Sequence, residues 1–426
     1  MAGNFVLLFI FGISLLVLFL RQTTKNRFIG GAIVALILGW RGVNLINEFK
    51  IYPSEALIIL GSIAVLVKPN IHRTQNNKIL IPISAWILLF TSCMGIITAL
   101  ANYHAIDYVF LDAKSFLIFL PTLVIIGYWV NTEEEVTHFV NIFVVTGTII
   151  ASMGLLEYFF PSLSDLLPII FSADEYTRVN FNTGMFIELA SFRFWGTPVV
   201  SVLLVPILGL CTVPLAKSKS KLAWFFCELI ILLGIIVSGY RSAWIGAGVV
   251  LVGKLFFGNR KTALLLLFGL FLAIIFVAPE AYLARAESLF AVGESVDATF
   301  IRRSSALFYT INIILKYPLS GTGWFSLTPF NDWVYIGLSQ GIIALAFFIG
   351  WFLNLLWKLL QKLLNGRYGQ DYLAIGFLIS LSGYAVSMFS GAMTDILLLW
   401  SAFWLIFCLA WRYCELPILN WEERNV

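Results

Sequence analysis

Four arginines stand out in a chain that otherwise avoids charge: Arg193, Arg241, Arg302 and Arg303. A guanidinium is always charged and presents a planar fork of donors that matches phosphate oxygens. Convergent arginines beside a bilayer therefore suit a phosphate or diphosphate ligand. Arg241 lies in Ser238-Gly239-Tyr240-Arg241-Ser242, a tight turn between two apolar runs with little room to snorkel. An arginine near a helix centre costs about 2.5–3.5 kcal/mol on insertion scales, so it needs a cavity or a partner. The competing reading is an interfacial arginine bonding lipid phosphate or helix-end carbonyls. Arg193 sits among aromatic residues in Phe192-Arg193-Phe194-Trp195-Gly196-Thr197-Pro198, which also fits an interface belt. Arg302 and Arg303 precede Pro318-Leu319-Ser320-Gly321-Thr322-Gly323, and such an adjacent pair can be a solvated face. Gly321-x-Gly323 alone says little about phosphate, because it opens no strand–helix unit and lacks the lysine-serine ending of a P-loop.

Metal and thiol chemistry have no visible ligand set. The three histidines are isolated, and Cys93, Cys211, Cys227, Cys408 and Cys414 fall in or beside apolar runs without a C-x-x-C pair. No cofactor is expected.

The elements that must carry these arginines are membrane helices. Of 426 residues, 60% are hydrophobic and 12% charged, and the mean hydropathy is +0.93; an ordinary soluble domain has about 25% charged residues. Open sheets leave unpaired edges in lipid, and nothing alternates as barrel strands do. The expected fold is all-α: a polytopic helix bundle of about 12–13 spans, each near 20 residues. The spans read as 4–20, 28–46, 54–68, 79–101, 112–130, 139–160, 197–216, 222–238, 243–257, 262–278, 333–357, 371–391 and 395–411. The first run lacks a basic start and a small-residue cleavage site, so it reads as a span. Residues 1–426 form one membrane domain.

Lysine and arginine set the orientation. About 17 of the 27 basic residues fall in gaps of one parity, which marks the cytoplasm and puts the C-terminus inside. The gap 131–138 carries Glu133, Glu134 and Glu135 and adds nothing to this count. The opposite gaps are external, and two are long, 161–196 and 279–332. The second holds an amphipathic stretch, 306–315, expected to lie on the membrane. A lipid-linked diphosphate would present its head group at this depth.

Taken together, these motifs resemble the O-antigen ligase and O-antigen polymerase superfamily. Arg193 to Pro198 resembles its Arg–Gly–small–Pro stretch. Ser238-Gly239-Tyr240-Arg241-Ser242-Ala243-Trp244 is similar to its Ser-Arg-Ser/Thr-x-Trp turn. Arg303 followed by Pro318 to Gly323 resembles the Arg…Pro-Leu-x-Gly-x-Gly segment of the external loop. Phe330-Asn331-Asp332-Trp333-Val334, then Gln340-Gly341-Ile342, is similar to the His-Asn-x-Tyr-Leu…Glu-Gly-Ile signature. The likeness covers roughly residues 193–345. It implies a metal-independent, inverting glycosyltransferase of the GT-C type that uses an undecaprenyl-diphosphate-linked glycan donor at the periplasmic face of a bacterial inner membrane. Partners implied are the donor, a glycan or lipid A core acceptor, membrane lipids and a chain-length regulator protein; nucleic acid is not expected.

Phe330 stands where the family has histidine, and Gln340 where it has glutamate. A ligase mechanism built on that histidine cannot be carried over, which favours a polymerase over a ligase. Arg193, Arg241, Arg303 and Arg302 would grip the diphosphate. With Phe330 unable to act as base, Asp332 and Glu188 are the external carboxylate candidates, while Asn331 would position sugar or loop backbone. Asp332 also reads as an N-cap for the following helix. His104 is external but remote in sequence. A transporter is the alternative outside enzymology, though internal repeats and midplane charges are lacking.

Overall fold

The computed structural model describes residues 22–37, 43–46, 49–67, 81–102, 104, 106–160, 197–238, 240–277, 298–324, 331–365, 371–390 and 397–416. Among them helix dominates. The expected 4–20 span lies outside the described residues.

The described elements are helical, as the all-α expectation has it, apart from one small ribbon. Strands β1 (Val43–Ile46) and β2 (Phe49–Ile51) form a small antiparallel ribbon that pairs Val43 with Ile51 and Asn44 with Lys50. The expected 28–46 span is therefore shorter: a π-helical turn, Asn26–Gly30, continues into α1 (Gly31–Ile37), and by Val43 the chain is strand. Valine and isoleucine favour the strand once the chain leaves the helix.

After the ribbon come α2 (Pro53–Val67), α3 (Ile83–Ala101), α4 (Ile106–Leu117), α5 (Phe119–Trp129) and α6 (Glu133–Phe159). Next are α7 (Thr197–Leu210), α8 (Thr212–Lys217), α9 (Lys221–Val237), α10 (Arg241–Phe257) and α11 (Arg260–Val277). The chain ends with α12 (Ala298–Lys316), α13 (Asp332–Gln340), α14 (Ile342–Asn365), α15 (Tyr372–Ser390) and α16 (Leu397–Glu415). Among the described residues, four helical runs are long and apolar enough to cross a membrane: Ile83–Ala101, Asp112–Trp129, Glu133–Leu156 and Ile342–Leu364. The chain is a membrane protein.

Some expected spans are interrupted for visible reasons. The 333–357 run breaks at Gly341, whose φ of +89° no helix accommodates, so α13 stands apart from α14. The 197–216 run breaks at Cys211, after Pro206 has removed one backbone donor.

Helix α15 is the hub. It packs against α7, α10, α14 and α16. Gly376, Ser380, Gly383 and Ser387 recur every three or four residues, and small residues let helix backbones approach closely. A Cβ on Gly383 would meet Val250 Cγ2 at 2.5 Å and the Gly246 carbonyl at 2.9 Å. The hydroxyls in this stripe bond across the contact: Ser380 Oγ donates to the Pro206 carbonyl at 2.7 Å, and Ser387 Oγ to the Ser242 carbonyl at 3.2 Å. Beside it, α14 and α16 interleave aromatic rings. Trp351 meets Phe407 at 4.8 Å, and Trp404 meets Phe119 of α5 at 5.1 Å between centroids.

Polar contacts sort the loops by end. At one end Lys25 pairs with Glu135, and Lys217 Nζ donates to Thr137 Oγ1 at 3.1 Å. Arg412 donates to the Val130 carbonyl at 2.7 Å and to Asn131 Oδ1 at 3.0 Å, and Lys362 donates to the Tyr413 carbonyl at 2.6 Å. Each joins gaps that the charge count puts on one side. The acidic triplet also acquires a role there: Thr132 caps α6 by accepting from the Glu135 N–H, and Glu135 accepts from the Asn131 N–H at 2.7 Å. Carboxylates favour the positive end of a helix dipole.

Candidate functional site

The opposite end holds the motifs that fall on described residues, around Arg241, Gly321 and Asn331. Its centre is the loop 318–324, wedged between α3 and α13. Gly321 (φ +63°) and Gly323 (φ +90°) take backbone conformations that side chains resist, and each lies against a helix backbone. The Thr322 N–H donates to the Leu338 carbonyl at 2.7 Å, and the Ile342 N–H to the Pro318 carbonyl at 2.8 Å. Two motifs well separated in sequence, around Gly321 and around Gln340, are thus halves of one interlock. Trp324 follows directly and plugs it. Its indole is buried, donates to the Ser92 carbonyl at 3.1 Å, and reaches Phe116 at 5.8 Å.

Gln340 is fully buried, and its Oε1 accepts from Ser92 Oγ at 2.8 Å and Thr91 Oγ1 at 3.2 Å. It ties α13 to α3. A glutamine serves this purpose without the charge that a glutamate would have to bury.

Asn331, not Asp332, caps α13. The Asn331 Oδ1 accepts from the N–H groups of Trp333 at 3.0 Å and Val334 at 3.1 Å, and Asp332 is the first helical residue. The N-cap expectation for Asp332 is corrected by one position, because the shorter reach from residue 331 meets two first-turn donors. Asn331 holds its own helix start. Asn331→Ala is expected to lower stability by about 1 kcal/mol and Asn331→Asp to retain it, read as unfolding midpoints in detergent.

The Arg241 turn is braced from several sides. Ser238 Oγ donates to the Ile235 carbonyl at 2.6 Å and accepts from the Tyr240 N–H at 3.3 Å. The Trp244 indole donates to the carbonyls of Ile235 and Ile236, both at 3.2 Å, closing the turn onto the end of α9. The tryptophan of this motif is therefore a staple. Arg241 is half-buried and begins α10, and the preceding Tyr240 makes no side-chain cap. A cation at a helix N-terminus opposes the dipole by about 0.3–1 kcal/mol, an arrangement that an anion would reverse.

A chain of contacts connects this turn to the loop. Ser242 bonds Ser387 of α15; two residues earlier, the Ala385 carbonyl accepts from the Trp333 indole at 3.2 Å; and Tyr335 of α13 donates to Asp112 of α4. Asp112 and its neighbour Lys114, which pairs with Glu55 at 2.6 Å, were not recognisable as site residues by motif. The only available signal was acidic groups at the mouths of two apolar spans. His104 also comes to this end. Asn102 Nδ2 donates to the Thr322 carbonyl at 3.2 Å, and the His104 N–H donates to the carbonyl of Ala99, the residue that Gly323 touches.

Helix α12 packs on α13. It extends the expected 306–315 stretch in both directions and exposes Phe308, Tyr309 and Leu315. The side chains of Arg302, Arg303 and Asp332 lie outside the described set, as do Glu188, Arg193 and Phe330 altogether. Among the described residues, no group of three or more His, Cys, Asp or Glu side chains is placed to hold a metal ion.

No family model matches the chain. It is similar to the photosystem I P700 chlorophyll a apoprotein A2 1 of Trichormus variabilis and of a Nostoc species, in both cases 31% identical over 124 residues. The match takes in 26% of this chain and 16% of those proteins. So short a share fixes neither a family nor an activity.

Proposed function

We propose that this membrane protein is an inverting, metal-independent glycosyltransferase that polymerises undecaprenyl-diphosphate-linked repeat units at the outer face of a bacterial inner membrane, as O-antigen, capsule or exopolysaccharide polymerase. The full chain would then have about 12–13 spans. The observation that carries the reading is Arg241 at an uncapped helix N-terminus, on the same end of the bundle as the glycine interlock and the start of α13.

In this mechanism the acceptor hydroxyl attacks the anomeric carbon from the face opposite the diphosphate. The new glycosidic C–O bond forms as the bond to the diphosphate breaks, and undecaprenyl diphosphate leaves with the electron pair. Negative charge on that leaving group is largest late in the reaction. Preorganised guanidinium and backbone N–H donors therefore stabilise the transition state more than the ground state. Arg193, Arg302 and Arg303 would join Arg241 in this grip. The acceptor proton goes to a base within about 3 Å. Asp112 and His104 join Asp332 and Glu188 as candidates, because the contacts around Tyr335 and Thr322 bring their backbones to this end.

Purified protein reconstituted with the lipid-linked repeat unit of its own host is expected to yield a ladder of products. A single product that requires added lipid A core would make it a ligase instead. No transfer to either acceptor, from intact protein and the right donor, would abandon glycosyl transfer in favour of transport. In the same assay the base is the residue among Asp112→Asn, His104→Gln, Asp332→Asn and Glu188→Gln whose loss stops the ladder.

A further inference from the structure

The basic end carries a second site of a different kind. Helix α9 runs from Lys221 to Val237, the chain turns at Arg241, and α10 runs back to Phe257. Each helix has 17 residues, roughly 25 Å at 1.5 Å per residue, so Lys221, Lys254 and Arg260 share the end away from Arg241. Between them opens a cavity of about 740 Å³. Its walls are apolar, with Leu222, Phe225 and Phe256, and its charged lining is Lys221, Lys254 and Arg260; among the described residues no carboxylate lines it.

Lys254 is buried and paired with the fully buried Glu228, so that pair forms a neutral floor. The net attraction comes from the rim. Lys221 and Arg260 are exposed there, and the N-terminal end of α9 lies beside them, while Asn259 Oδ1 caps α11 by accepting from the Lys261 and Thr262 N–H groups. Ser220 makes no side-chain cap on α9, which leaves its first-turn donors and its positive dipole end facing the same side.

We propose that this cavity binds an anionic phospholipid, with the phosphate between Lys221 and Arg260 and an acyl chain along Phe225 and Phe256. A basic rim over an apolar pocket between helices, on the lysine-rich side of a bilayer, fits that amphiphile. A soluble anion would gain nothing from the apolar walls. This site is separate from the glycan reading and stands whether or not that reading does.

The test is native mass spectrometry of the full chain in neutral detergent, titrated with phosphatidylglycerol or phosphatidylcholine of matched chains. Phosphatidylglycerol is expected to bind about ten-fold better. The double variant Lys221→Gln/Arg260→Gln is expected to lose that preference. Lys217→Gln/Lys219→Gln, the same charge change at the same end but off the cavity, is expected to keep it. Equal binding of the two lipids would overturn the proposal, as would equal loss in both double variants. Displacement of the bound lipid by millimolar inorganic phosphate would also overturn it, because the site would then recognise a free anion. Retention in that competition supports a lipid.

Discussion

Arg241→Ala is expected to cut glycan transfer by about 100-fold while leaving the purified protein folded. The turn that holds Arg241 is braced by the side chains of Ser238 and Trp244 and by the Ser387–Ser242 bond, so the variant is expected to keep its fold. Arg241→Lys separates charge from geometry. It keeps the charge and loses the fork, so a diphosphate grip predicts a partial loss of about 10-fold. Initial rates of ladder formation with the lipid-linked donor would show this, alongside unfolding midpoints for each variant. Full activity in Arg241→Ala would remove the residue from the mechanism and leave it as an interfacial anchor.

Gly323→Ala is expected to cost about 3 kcal/mol, the sum of a side chain at positive φ and of overpacking a closed contact. The added Cβ would lie 2.5 Å from the Ala99 backbone nitrogen and 2.6 Å from its Cα. Neither can yield as a flexible side-chain tip could. The loop would have to lift from α3, drawing Trp324 from the aromatic core and releasing its bond to Ser92. Equilibrium unfolding in mixed micelles would measure the loss. Transfer activity should fall with it, because α12 and α13 are held through the same interlock. Gly350→Ala is the control. It lies in α14 with nothing within 4 Å of the added Cβ, so helix propensity alone predicts a neutral or slightly stabilising change, up to about 1 kcal/mol. A Gly323→Ala protein as stable as the Gly350→Ala protein would mean that the wedge carries no load.

The sequence alone determined the solvent. A chain so apolar must put helices in lipid, and its lysines and arginines gave an expectation of which gaps share a side. The ion pair of Lys25 with Glu135 and the bonds of Arg412 to Val130 and Asn131 join gaps that had been assigned to the same side. Helix boundaries such as 221–237 and 372–390 fell within a few residues of the apolar runs, since hydropathy changes sharply where the chain leaves the bilayer.

What sequence could not decide was local geometry and partnership. Gly341 breaks an unbroken apolar run because its conformation is imposed by the 318–324 loop, far upstream. The cap fell on Asn331 rather than Asp332 because reach to two N–H groups decides it, and both residue types are good caps. Trp244 entered the sequence reading only as the end of the Arg241 motif, and Trp324 did not enter it; their carbonyl partners on other segments reveal one as a staple and the other as a plug. Asp112 gained its relevance from Tyr335, and His104 from the loop beside Asn102. Hydropathy is a property of each segment and survives in the linear sequence. Pairing between segments depends on how the helices cross, and small residues such as Gly246 and Gly383 set that crossing only once both helices are in place.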